Sequence, residues 1–111
     1  MSKIKVIKVP VGSAPFVIEI ENSMEGFQAE VGGGFTMVHV DDLDLWCNDE
    51  ALMNGMPFNR RVGDHAIHGD FFFARHDDDG NSTSITAVDV AKFFPVLDGV
   101  HRHAATQRKD R

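Results

Sequence analysis

The chain has 111 residues, 42% apolar and 25% charged, a formal net charge of −6, one cysteine, nine phenylalanines and no tyrosine. That length is one domain with a modest core. The negative balance argues against a general nucleic-acid binder, which needs a basic face for phosphates, and a single Cys excludes an internal disulfide. The N-terminus lacks the apolar core of a signal peptide, and no apolar run approaches the roughly 20 residues of a membrane helix. A reducing cytoplasm is the expected setting, with no membrane partner. Residues 1–100 hold 7 Lys/Arg against 16 Asp/Glu, and residues 101–111 hold 4 against 1. The expected organisation is one domain over 1–100 and a basic, flexible tail over 101–111.

Lys3 to Val9 (KIKVIKV) sets Ile4 and Val6 on one face and Ile7 and Val9 on the other, and reads as a strand. After the turn cluster Pro10–Ser13, Pro15 to Glu21 alternates Phe16, Ile18 and Ile20 against Val17, Glu19 and Glu21. The two form an expected hairpin with lysines opposite glutamates. Asn22 reads as a helix N-cap, with Glu25 completing a capping box. Met24, Phe27, Gln28 and Val31 follow helical spacing, and Gly32-Gly33-Gly34 stops the helix. These glycines follow a helix instead of opening one, so they do not read as a phosphate loop.

Phe35 to Val40 and Leu43 to Cys47, joined by Asp41-Asp42, read as a second hairpin. Asp49 to Gly55 reads as a short helical turn closed by Met56-Pro57, with Asn59-Arg60-Arg61 and then Gly63 to His68 in loop conformation. Gly69 to Arg75 is a fifth strand, and its three consecutive Phe predict a central position covered on both faces. An acidic turn follows over His76 to Ser82. Thr86 and Asp89 form a second cap pair, opening a helix that Pro95 is expected to stop. The expected fold is α+β: a single domain with a mainly antiparallel sheet of about five strands. Two main helices accompany it on one face, in the order ββαββ(short α)βα.

The acidic turn invites a calcium reading. With Gly80 at the sixth position of such a loop, Arg75 falls first and Thr86 twelfth, and neither supplies the required carboxylate; a solvated Asp-Gly turn is the simpler reading. His65-x-x-His68 and His101-x-His103 have zinc-like spacing but no evident third ligand, so no metal or cofactor is expected. Cys47 is a nucleophile only if a base such as His39 stands beside it; otherwise it is a small core side chain. Trp46, Asn48, Asn59, Arg60 and Arg61 form the candidate ligand-binding set. The two arginines either neutralise Asp42, Asp44 or Asp49, or present a fork to a phosphate or carboxylate with Trp46 as a stacking platform.

Several pieces resemble a family of small uncharacterised proteins found in phages, prophages and integrative elements and known as a domain of unknown function. They are the IKVIKV start with VIEIEN, the helix ending in VGG, Cys47-Asn48-Asp49-Glu50, and Gly55-Met56-Pro57-x-Asn59-Arg60. The resemblance covers roughly residues 3 to 95 and leaves out the basic tail. It implies an α+β accessory protein of a mobile element and brings no catalytic residues.

Three functions are compatible with this reading. The first is a non-catalytic binding protein that antagonises a host defence, by binding a host protein or by sequestering a small phosphorylated ligand. The second is a small enzyme using Cys47 or the histidines. The third is a self-assembling structural or regulatory protein, since an exposed edge strand and the Phe content are compatible with a homo-oligomer.

Overall fold

Three consecutive phenylalanines set the plan of the sheet. The structure, a computed structural model, describes residues 2–97. Its strands are β1 (Lys3–Val9), β2 (Phe16–Glu21), β3 (Phe35–Val40), β4 (Leu43–Asn48), β5 (Phe58–Val62), β6 (His65–His68), β7 (Phe71–His76) and the two-residue β8 (Ser82–Thr83). Helix α1 (Met24–Val31) follows β2, and helix α2 covers residues 87–97. The main sheet has the order β2-β1-β7-β4-β3, antiparallel throughout, with β8 also on β7. This is the expected α+β fold.

Strand β7 lies at the centre, and Phe71, Phe72, Phe73 and Ala74 are all fully buried. Successive side chains of a strand point to opposite faces, so an all-apolar strand needs two covers. Phe71 and Phe73 pack with Ile7, Val9, Leu43 and Leu45 under Phe93 and Leu97 of α2. Phe72 and Ala74 pack with Ile4, Val6 and Ile20 under Phe27 and Val31 of α1. The helices therefore cover opposite faces of the sheet, not one face as the strand-helix order suggested. Each buried Phe or Leu contributes roughly 1.5–3 kcal/mol relative to an exposed one.

Local chemistry moves several boundaries. The N-cap of α1 is Ser23, whose Oγ accepts from the Gly26 N–H at 3.0 Å. Asn22 does not cap because its N–H donates to the Ser2 carbonyl and prolongs the β1–β2 ladder, while its Nδ2 donates to Ser82 O. Gly32 ends α1 in the left-handed region (φ 80°), and the N–H groups of Gly32 and Gly33 both donate to Gln28 O. Asp49 to Gly55 is a series of turns, not a helix: Asn54 N–H reaches Glu50 O, but Gly55 reaches Leu52 O and Met56 reaches Ala51 O.

The segment expected as loop is a further hairpin, after β1–β2 and β3–β4. β5 and β6 pair antiparallel, Arg60 opposite Ile67 and Arg61 opposite Ala66, around Gly63 (φ 58°) and Asp64. The polar run Asn59-Arg60-Arg61 hid the strand alternation, although Gly-Asp between two short strands is a hairpin signal.

Thr86 and Asp89 cap α2 reciprocally: Asp89 N–H donates to Thr86 Oγ1 and Thr86 N–H to Asp89 Oδ2. Arg75 of β7 clamps the same carboxylate from the sheet, Nε to Oδ2 at 2.6 Å and Nη2 to Oδ1 at 2.7 Å. These bonds, Arg75 first, hold the Asp89 carboxyl below the ordinary carboxylate range. Pro95 does not stop α2, which continues to residue 97. Proline removes one backbone bond, but the next turn is held from outside, with Leu97 buried and its carbonyl bonded to Arg60. The basic tail, with His101 and His103, lies outside the described residues.

Alanine ordinarily favours a helix over glycine by about 1 kcal/mol. At Gly26 a Cβ would overlap the Glu21 carbonyl oxygen. Gly26→Ala is therefore expected to lower the urea midpoint, against the propensity scale. Asp89→Asn tests the clamp. A carboxyl with a depressed folded pKa stabilises above its unfolded value of about 3.9 and loses that contribution as pH falls through the folded value. The stability gap between wild type and Asp89→Asn should be full at neutral pH and should close only below about pH 4.

Candidate functional site

Arg60 is 1% exposed, yet it makes no ion pair among the described residues. Its Nε donates to Asn59 Oδ1 at 2.9 Å, Nη1 to Leu97 O at 2.9 Å, and Nη2 to Ser13 O at 2.7 Å and Pro10 O at 3.4 Å. Burial lowers its pKa from the ordinary arginine value. Asn59 completes the arrangement by donating from Nδ2 to Val9 O and Gly69 O, both at 2.9 Å. Hairpin β5–β6, the β1–β2 loop and the last described turn of α2 are thus joined by one side-chain pair. Neither expected arrangement of Arg60 is present: it neutralises no aspartate, and its donors are taken by carbonyls.

The other candidates lie elsewhere. Trp46 packs on the α1 face against Phe27, Phe35 and Phe72, at centroid distances of 4.9, 5.3 and 6.4 Å. Leu97, which Arg60 holds, belongs to the opposite layer. The indole Nε1 is buried with no hydrogen-bond partner among the described residues. Asn48 donates to Val31 O at 3.1 Å, capping a carbonyl at the end of α1, and accepts from Glu50 N–H at 2.7 Å. Arg61 points to solvent. The structure therefore brings Asn59 and Arg60 together and places Trp46, Asn48 and Arg61 apart from that pair.

Asn48 and Asp49 also explain the glycine run. A Cβ on Gly33 would stand 3.3 Å from Asn48 Nδ2, and one on Gly34 would stand 2.9 Å from Asp49 Oδ1. The Asp49 N–H donates to Gly34 O. The run gives α1 its stop and lets the Cys47–Glu50 segment lie against bare backbone.

Beyond that segment, an open groove of about 230 Å³ lies between the end of β4, the turns that follow it and β6. Cys47, Ala51, Leu52, Met53, Ile67 and His68 line it. Leu52 is 76% exposed, Met53 82% and Phe58 52%. Backbone bonds from Asp49, Asn54, Gly55 and Met56 fix the segment that carries Leu52 and Met53.

Cys47 is half-buried against the α2 layer, and burial, helped by Asp49, pushes its thiol pKa up. A raised pKa leaves little thiolate, the nucleophilic form. His39 pairs in register with Asp44, and Cys47 with Thr36. Strand alternation therefore puts His39 and Cys47 on opposite faces, so His39 does not serve Cys47 as a base. In the acidic turn, Asp77 Oδ1 accepts from the N–H groups of Asp79 and Asn81, both at 2.9 Å, and its Oδ2 accepts from Asn81 Nδ2.

Residue spacing misses one cluster, His39, Asp44 and His76, where two imidazoles meet one buried carboxylate. Part of it is legible: His39 and Asp44 flank a tight turn and pair across it. His76 arrives through the β4–β7 pairing, which no local pattern announces.

The Arg60 network makes a sharp contrast between neighbours. Arg60→Leu leaves the buried Leu97 carbonyl and the partly buried Pro10 and Ser13 carbonyls without this donor and should cost on the order of 3 kcal/mol in chemical denaturation. Arg60→Lys should recover only part, because an ammonium cannot span the diverging acceptors. Arg61→Ala should stay within about 0.5 kcal/mol of wild type.

Searches of curated proteins and of solved structures find no match to the chain. A family model does match, over residues 4–97, which takes in nearly all of the described residues, the groove and the Arg60 network among them. On that match the chain belongs to the family described as Domain of unknown function (DUF3846).

Proposed function

We propose that this is a non-catalytic accessory protein of a phage or mobile element that binds a host protein through the segment carrying Leu52, Met53 and Phe58. The observation that carries the reading is that Leu52 and Met53 stand in solvent on a segment fixed by backbone hydrogen bonds. A rigid segment that presents large apolar side chains has already lost the entropy that a flexible loop would lose on binding. Burying each side chain in a partner contributes roughly 1.5–3 kcal/mol, and methionine adapts to irregular surfaces. The adjoining groove offers a recess for a partner side chain. Asp49 and Glu50 at its margin are exposed, which favours a partner with a basic rim.

The phosphorylated-ligand version has less support. Arg60 commits its donors to backbone carbonyls, and Trp46 is packed on the α1 side of the sheet. The enzyme version has less support for a related reason, since Cys47 lacks His39 and its thiol pKa is raised. The mobile-element origin rests on the sequence resemblance, and family membership alone does not fix a function.

A photo-crosslinker at position 53, in cells of a host that express the protein, tests this reading. The expected result is one discrete host protein, identified by mass spectrometry. It should be lost when Leu52→Asp is added to that chain, with melting unchanged. Crosslinking only to a second copy of the chain would replace the reading with self-assembly. A nucleotide that co-purifies and raises the melting temperature would replace it with ligand sequestration.

A further inference from the structure

Asp44 is 2% exposed, in a sheet whose other inward residues are almost all apolar. A buried carboxylate needs partners to offset lost hydration. The side-chain partners described for it are two imidazoles. His39 Nδ1 lies 2.9 Å from Oδ1, and His76 Nδ1 lies 2.9 Å from Oδ2 and 3.1 Å from Oδ1. The three residues come from the adjacent strands β3, β4 and β7. All three project from the α1 face, beyond the apolar layer of Trp46, Phe72 and Ala74. Both rings direct the same nitrogen at the same carboxylate, with centroids 5.8 Å apart.

The geometry points to a divalent-metal site whose ligands are His39 Nδ1, His76 Nδ1 and the Asp44 carboxylate, suited to zinc or a neighbouring first-row cation. The ligand atoms all lie within 4.8 Å of one another. Metal–ligand bonds of about 2.1 Å in a tetrahedral arrangement set ligand atoms roughly 3.4 Å apart, which lies between the 2.9 Å nitrogen–oxygen separations and the 4.8 Å limit of the cluster, so rotation of the exposed rings brings the set to an ion. Two imidazoles and one carboxylate suit borderline cations better than calcium or magnesium, which prefer oxygen alone. The His39 and His76 side chains are 67% and 43% exposed, so an ion can enter from solvent and a fourth position faces water.

The electrostatic surroundings favour a cation. Strands β4 and β7 run antiparallel, so the start of β4 meets the end of β7. The turn with Asp41 and Asp42 and the turn with Asp77, Asp78 and Asp79 therefore share one end of the sheet. Asp42 is near enough to act on Arg75, which is itself turned to Asp89. Lys92 stands 4.0 Å from Asp41 and is the other cation paired at this end among the described residues.

The test uses the full chain with His65, His68, His101 and His103 all changed to Gln, so that no other histidine contributes. After dialysis against chelator, zinc is titrated by calorimetry and counted by native mass spectrometry. One zinc per chain is expected. His39→Gln and His76→Gln in that background should weaken it by at least about 100-fold, more than the ~10–100-fold typical of losing a residue that only orients a ligand. His39 is exposed, so His39→Gln keeps the test open should Asp44→Asn fail to fold. Cobalt in place of zinc should give visible absorption of a four- or five-coordinate nitrogen/oxygen site, absent in His76→Gln. No zinc uptake by the background chain, or equal uptake by His39→Gln, would overturn the assignment and leave Asp44 as an acceptor for two imidazole N–H groups.

Discussion

A guanidinium with no counter-ion among the described residues ties together what the sheet does not. Hairpin β5–β6 forms its own two-stranded sheet, separate from the main one. Arg60 joins that hairpin to the β1–β2 loop and to the last described turn of α2, and Asn59 joins it to β1 and to the chain entering β7. Backbone carbonyls take the place of a carboxylate. One of them, Leu97 O, belongs to the last described turn of α2. Arginine suits this position because its fork is planar and its five donors diverge at fixed angles. The charge is tolerated because its donors meet carbonyl oxygens, whose dipoles partly replace the lost hydration.

The same interaction accounts for the continuation of α2 through Pro95. A proline inside a helix removes its own bond to the carbonyl four residues back and crowds that carbonyl. Here Leu97 is anchored twice, by its side chain in the layer with Phe71 and Phe73 and by its carbonyl on Arg60. Tertiary contact outweighs the local stop signal.

Much of the fold was legible because it rests on period-two alternation and short turns. The Phe71–Phe73 run marked a strand covered on both faces, and the β1–β2 and β3–β4 pairs followed from alternation around turn residues. What escaped was the consequence of that run for the helices: two apolar faces require one helix on each. The β5–β6 hairpin escaped because its inward residue is an arginine where alternation leads one to look for a hydrophobe. The candidate site was legible only in part. Asn59 and Arg60 were singled out as unusual polar residues, but whether such a group serves the fold or a ligand depends on where its donors end, which chain order does not record. The histidines of the Asp44 cluster are 37 residues apart and meet only through strand pairing.

The glycine run and the Cys47–Glu50 segment are distant in sequence but share one tightly filled space. Side-chain volume at positions 33 and 34 is therefore exchangeable only against volume at 48 and 49. Across divergent relatives the two motifs should be inherited as a single block, with change at one accompanied by shrinkage at the other. Recombination between them would join halves that no longer fit, although each half would carry an intact hairpin.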